Sequence, residues 1–200
     1  MRINTKKDFE LARQQMVVQL SRRGISDGAV LQAFKNVPRE KFIDPKLREF
    51  AYGDHPLPIA EDQTISQPYM VAVMIQALEL EPHERVLEVG TGSGYGAAIL
   101  GEMAAVVYTI ERYASLASVA RERLRELGYY NVHVLHADGT LGWPVEAPFD
   151  KIVVAAGGPA VPERLKQQLK IGGKMVIPVG SVRFQQLILV ERTGADTFEE

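Results

Sequence analysis

The sequence predicts an α/β protein, a doubly wound and mostly parallel sheet preceded by an N-terminal helical cap. Two observations carry this. From residue 82 onward, short apolar runs alternate with amphipathic stretches, the rhythm of parallel strands covered by helices on both faces. One run, Val86-Leu87-Glu88-Val89, leads into three alternate glycines, Gly90, Gly92 and Gly94, and then into a small-residue helix start at Ala97 and Ala98. Glycines so spaced allow a tight strand-to-helix turn in which a ligand can lie against bare peptide groups.

The elements follow in order. Residues 8–23 place Phe9, Ala12, Met16, Val17 and Leu20 at helical spacing, and Gly24 supplies a stop. Ser26 and Asp27 open a second helix with Val30, Leu31 and Phe34 inward, ending near Pro38, and a third short helix is expected at 45–51. Prolines make 53–67 a long irregular connection. Residues 68–80 form a helix with Met70, Val73, Met74, Ala77 and Leu78 on its apolar side. Strands are expected at 86–89, 106–110, 132–136, 151–155, 174–178 and 186–191, and helices near 95–103, 114–127 and 160–170. The chain therefore divides into a cap with a substrate loop, 1–80, and a ligand-binding α/β domain, 81–200. A sheet of this type usually closes with a further antiparallel strand, so a truncation at Glu200 is expected.

The composition narrows the classes. The chain has 200 residues, 46% hydrophobic, with a formal net charge of −2. That is enough for a sizeable core, and too little positive charge for a nucleic-acid or membrane surface held by bulk electrostatics. There is no cysteine, hence no disulfide and no thiolate nucleophile. The four histidines show no metal-ligand spacing, so no metal is expected. The N-terminus lacks a signal-peptide core and no apolar run approaches a membrane span, which makes the cytoplasm the default; a monomer is expected.

The glycine turn alone is a weak signal. Read from Gly92, with Gly94 second and Ala97 last, it also fits a dinucleotide pattern. Two acids argue for a different ligand. Glu88 sits inside the strand, where a buried carboxylate needs a cationic or donor partner, and the ammonium of an amino-acid ligand suits it. Glu111, 21 residues past Gly90 at the end of Val106–Ile110, can accept hydrogen bonds from both hydroxyls of a ribose. A third acid, Asp138, followed by Gly139, ends the next strand. Amino acid, ribose and adenine in a row describe S-adenosylmethionine.

The run Asp62 to Met70 (Asp-Gln-Thr-Ile-Ser-Gln-Pro-Tyr-Met) leads into the apolar helix with four polar side chains. On local grounds Ser66 reads as the helix N-cap with Pro68 in the first turn. The segment Gln63 to Met74, with Leu57-Pro58-Ile59 ahead of it, resembles the signature of protein-L-isoaspartate O-methyltransferases. The resemblance continues through Val86–Tyr95, Tyr108–Arg112, Asp138-Gly139, Phe149–Ala156, Val161-Pro162 and Leu169–Gly180, and so covers most of the chain in order. It implies a Rossmann-like methyltransferase fold and transfer of a methyl group from S-adenosylmethionine, leaving S-adenosylhomocysteine, to the α-carboxylate of isoaspartyl residues in damaged proteins and peptides. It places Ser66 at the active site, where a side chain can both cap and orient. Thr64, Tyr69 and the loop Val179 to Gln185 are candidates for gripping the peptide, Gln185 among them.

The chain departs from the family pattern at Ala60-Glu61-Asp62, where relatives have flanking glycines, at Ala137, where they have glycine, and at Gly157-Gly158, where they have an alanine-rich turn. The first two would stiffen the substrate loop or shift adenine contacts. The rival readings are a methyltransferase of different substrate on the same fold, a nicotinamide-dependent oxidoreductase, and a non-catalytic nucleotide-binding module. Glu88 disfavours the oxidoreductase, and the binding module leaves Thr64–Tyr69 without a purpose.

Overall fold

A computed structural model of the chain describes residues 5–181 and 184–200. The cap comprises α1 (Lys6–Arg22), α2 (Gly28–Asn36) and two 3₁₀ turns, Arg39–Phe42 and Pro45–Phe50. It continues through a small hairpin of β1 (Leu57–Pro58) and β2 (Thr64–Ile65) into α3 (Pro68–Leu78). The α/β part runs β3 (Arg85–Val89), α4 (Tyr95–Gly101), β4 (Val106–Glu111), α5 (Ala114–Glu126), β5 (Val132–His136), β6 (Phe149–Val154), α6 (Glu163–Lys166), β7 (Leu169–Ser181), β8 (Phe184–Arg192) and β9 (Phe198–Glu199). Asp27 and Gly24 act as expected, Asp27 accepting from the Ala29 and Val30 amides and Gly24 following α1 at φ 98°, while α1 starts earlier than expected, with Thr5 accepting from the Asp8 amide in a capping box.

The seven-stranded sheet has the order β5-β4-β3-β6-β7-β8-β9. Its first five strands are parallel, while β8 runs antiparallel to β7 and β9 antiparallel to β8. Only residues 182 and 183 stand between β7 and β8. A parallel return needs a crossover of a dozen residues or more, so so short a connection dictates an antiparallel partner. The chain leaves β3 first towards β4 and β5 and then towards β6 and β7. The carboxyl ends of β3 and β6 therefore flank the point where strand order reverses, the place where open α/β sheets hold ligands.

Three expectations need correction. The connection 53–67 is not wholly irregular. The Gln63 amide bonds the Ala60 carbonyl at 3.2 Å, and the turn between them carries Glu61 and Asp62 at φ 58° and 53°. This is a type I′ geometry made without glycine, so no turn signal marked it. The helix expected at 160–170 shrinks to α6, because β7 already begins at Leu169. On α3 the buried face is Ala72, Met74, Ile75 and Leu78, whereas Met70 is exposed.

The cap is not an appendage with a core of its own. Met16, Leu20, Phe34, Phe42 and Ile75 join Tyr95, Leu100, Val153 and Val176 in one continuous apolar cluster. A second cluster on the opposite face of the sheet gathers Leu87, Ile110, Ile152, Leu165 and Met175. The start of α3 is held from a distance. Gln67, its N-cap, makes no side-chain cap bond. Instead the Asp54 carboxylate accepts from the Tyr69 amide at 3.1 Å and from Gln67 Nε2 at 2.9 Å, and pairs with Arg23, whose guanidinium lies 3.5 Å over the Tyr69 ring. Replacing Asp54 by alanine leaves two donors and a cation without this partner. Urea unfolding should report a loss of about 2 kcal/mol.

Candidate functional site

An open cleft of ≈ 890 Å³, counted with the solvent at its mouth, lies over the carboxyl ends of β3 and β6. Its walls come from three places: Gln63–Ser66 with Val71, Met74 and Ile75 from the cap; Glu88 and the turn from Gly90 to Gly96; and Glu111 with Val153, Ala155 and Ala156. The turn is bent as glycine allows. Gly90, Gly92 and Gly94 sit at φ 100°, 52° and 90°, a region that ordinary side chains avoid. A Cβ on Gly96 would collide with Oε1 of Glu88, so the bare backbone there gives the carboxylate its place.

Glu88 is 3% exposed and faces this cleft from inside the sheet. In parallel register it stands opposite Thr109, whose hydroxyl donates to Glu88 Oε2 at 2.6 Å and lies 2.6 Å from the hydroxyl of Thr91. Burial pushes its carboxyl up to about 8, the Thr109 hydrogen bond opposing and the Glu111 charge adding to the rise. A buried acid lined up with a cleft and kept largely protonated at pH 7 suits a cationic ligand group, which would restore its charge.

Glu111 lies at the end of β4. Its Oε2 accepts from the Gly92 amide at 2.8 Å and its Oε1 from the Tyr113 amide at 3.0 Å. These bonds fix the carboxylate across the glycine turn and leave a lone pair on each oxygen for hydroxyl donors. Thr64, Ser66, Glu88, Gly90, Gly92 and Glu111 thus meet in one cleft. Gly94 lies behind it as the N-cap of α4, packed on Ala120 and Leu124.

Other candidates stand elsewhere. Asp138 is exposed and caps the short turn Gly139–Leu141, accepting from the Thr140 amide at 2.9 Å and its hydroxyl at 2.8 Å. It borders a separate depression with Leu141, Arg164 and Gln168. A Cβ on Gly139 would stand 2.5 Å from Val89 Cγ1, so glycine lets this turn close on β3. Tyr69 points away from the cleft, its hydroxyl donating to the Arg23 carbonyl at 3.4 Å. Gln185 is exposed on β8 with its amide against Gly157, just beyond Ala155 and Ala156 at the rim. Of the loop Val179 to Gln185, residues 182 and 183 lie outside the described residues. Ser66 is not the N-cap of α3. It precedes Gln67, the N-cap, and lines the cleft.

Sequence reasoning passed over Arg39. It is wholly buried, donating from Nε to the Ala51 carbonyl at 2.8 Å and from Nη2 to the Ser66 carbonyl at 2.9 Å, with its guanidinium 4.8 Å over the Tyr95 ring. Burial lowers its pKa, though a guanidinium keeps its proton in proteins. It stands in the charged run Arg39-Glu40-Lys41, which gives no local sign of burial.

A parallel sheet whose switch-point crevice holds a glycine turn between two strand-end carboxylates defines a class: the Rossmann-like methyltransferase fold. Known proteins agree. The family described as Protein-L-isoaspartate(D-aspartate) O-methyltransferase (PCMT) matches residues 11–200. Protein-L-isoaspartate O-methyltransferase 2 of Pelobacter propionicus is 59% identical over 181 residues, 90% of this chain and 80% of that one. A solved protein-L-isoaspartate O-methyltransferase superposes with a TM-score of 0.81 at 31% identity, over 90% of this chain and 60% of the other, longer one. A protein-L-isoaspartate O-methyltransferase structure from Plasmodium falciparum, in complex with S-adenosyl-L-homocysteine, gives a TM-score of 0.81 at 27% identity, covering 94% and 93%. The chain belongs to the protein-L-isoaspartate(D-aspartate) O-methyltransferase family.

Proposed function

We propose that this chain transfers a methyl group from S-adenosylmethionine to the α-carboxylate of L-isoaspartyl residues in damaged proteins and peptides, the first step of their repair. The observation that supports it most directly is the meeting of the Thr64–Ser66 segment with Glu88, Gly92 and Glu111 in one cleft. The residues fit the cofactor: Glu88 offers a buried carboxylate to an ammonium, Glu111 two acceptor oxygens to a ribose, and the Gly90–Gly96 turn a backbone wall without side chains. Asp138 and Gly139 would complete the adenine end from the neighbouring turn.

When bound, S-adenosylmethionine supplies an electrophilic methyl group activated by a sulfonium charge. The protein's tasks are then few. A substrate carboxylate is already ionised at pH 7, so no side chain need take a proton from it. Ser66 donates a hydrogen bond that turns the carboxylate towards the methyl group. Thr64, and Gln185 at the rim, hold the peptide on either side, with Tyr69 bracing the loop from beneath. Val71, Met74, Ile75 and Val153 make the wall apolar and keep water from solvating opposite charges that cancel during transfer. Orienting two bound reactants in this way contributes on the order of 7–11 kcal/mol.

Among the described residues no helix is long and apolar enough to cross a membrane. The reading takes the protein to be a cytoplasmic monomer, and sedimentation tests the latter. Thermal unfolding tests the cofactor: S-adenosylhomocysteine at 100 times its Kd should stabilise the protein by about 2.7 kcal/mol, whereas NAD should leave the transition where it was. Protection by NAD instead would move the chain to dinucleotide chemistry.

A further inference from the structure

Arg39 is a buried cation in a layer of rings and aliphatic side chains. Phe34 and Phe42 pack edge-on against Tyr95, at 6.0 and 5.5 Å between centroids, and Arg39 lies across the same ring. A guanidinium in such a place is unfavourable unless its hydrogen bonds serve something that an apolar side chain of equal volume would not. Both of its hydrogen bonds go to main-chain carbonyls, and they join two segments: Ala51, just after the second 3₁₀ turn, and Ser66, just before α3. Among the described residues, Nη1 of Arg39 and Oη of Tyr95 are buried with no partner in good hydrogen-bond geometry, and their main polar neighbours are each other. The guanidinium is therefore placed by its fork on the two carbonyls, at the expense of its remaining donor.

Holding the Ser66 carbonyl fixes the plane of the peptide that follows it. On its downstream side that peptide is held again, because Gln67 Nε2 donates to both the carbonyl and the carboxylate of Asp54, at 3.0 and 2.9 Å. On its upstream side β2 pairs with β1. With the main chain held from three directions, the Cα–Cβ bond of Ser66 has one direction, and its hydroxyl is left for a ligand in the cleft.

We propose that Arg39 is a positioning residue for the methyl transfer, acting through the Ser66 main chain. This rests on the reading of Ser66 as the group that orients the substrate carboxylate. Arg39→Lys keeps the charge but cannot span two carbonyls with a planar fork. With an isoaspartyl peptide, it should lower kcat by about tenfold or more, change KM less, and leave the S-adenosylhomocysteine Kd within about threefold. In a Ser66→Ala background the same substitution should cost no more than about twofold in kcat, because the side chain being positioned is already gone. Hydrogen exchange should show faster opening of residues 65–69 in Arg39→Lys, with α5 and β4 unchanged. Arg39→Gln, whose amide still reaches one carbonyl, serves in the same three measurements if the lysine variant does not fold. Penalties that multiply across the double variant, cofactor affinity falling in step with kcat, or unchanged exchange at 65–69 would each overturn the proposal. Wild-type protein inactive on the isoaspartyl peptide would instead overturn the reading of function, and the exchange measurement would still decide whether Arg39 holds this segment.

Discussion

Replacing Glu88 by glutamine should make the free protein more stable in alkaline solution and weaken its hold on S-adenosylhomocysteine. The sign follows from linkage. Folding raises this carboxyl from 4.5 to about 8, so between those values the folded protein keeps a proton that the unfolded chain releases. Its stabilising contribution is complete below about pH 4.5 and is lost as pH rises towards 8. At about 1.4 kcal/mol per pH unit, the loss has an upper bound on the order of 4–5 kcal/mol. Glutamine keeps the shape and still accepts from Thr109, without a proton to lose. Thermal unfolding should therefore find the two proteins alike at pH 5 and the variant ahead at pH 8.5. The ligand's ammonium reverses the balance by favouring the ionised carboxylate. Binding to the wild type at pH 7 should release close to one proton, and affinity should rise with pH up to about 8. The variant should release none and bind about 10–100-fold more weakly. Calorimetry in buffers of different ionisation enthalpy measures both quantities. Equal proton release from the two proteins would remove Glu88 from the ammonium site.

Ser66→Ala should separate chemistry from binding. Ser66 lines the cleft on the cap side, whereas Glu88 and Glu111 belong to the sheet and Gly92 to the turn after β3. Loss of one orienting hydrogen bond should lower kcat by about 100-fold. The S-adenosylhomocysteine Kd should stay within about twofold. Stability should change by about 0.5 kcal/mol or less, since Ser66 is half-buried and does not cap α3. A variant that loses cofactor affinity by calorimetry would assign the hydroxyl to the cofactor instead.

Much of this site is legible without coordinates, for a physical reason. Strand-turn-helix units announce themselves locally: an apolar run, glycines where φ must be positive, and an acid where the next strand ends. Glu88 and Glu111 line one cleft because parallel register carries each strand's end to the same edge of the sheet. What escapes is non-local or lacks its usual residue. The type I′ turn at Glu61 and Asp62 has no glycine to mark it. The cap of α3 comes from Asp54, 13 and 15 residues from its partners Gln67 and Tyr69, so a nearby serine looked like the better candidate. Arg39 reads as one more surface charge until folding places the Ser66 carbonyl over it. The antiparallel pairing of β7 with β8 escapes as well, because apolar patterning alone does not give strand direction.

The central claim is the substrate, and two peptides of identical sequence test it, one with an aspartyl and one with an isoaspartyl residue. Each is incubated with the protein and methyl-labelled S-adenosylmethionine, and base-labile label is counted as the ester. Label on the isoaspartyl peptide alone is the predicted result. Equal labelling of both peptides, or of neither while S-adenosylhomocysteine still binds, would contradict it and leave a methyltransferase fold acting on some other acceptor.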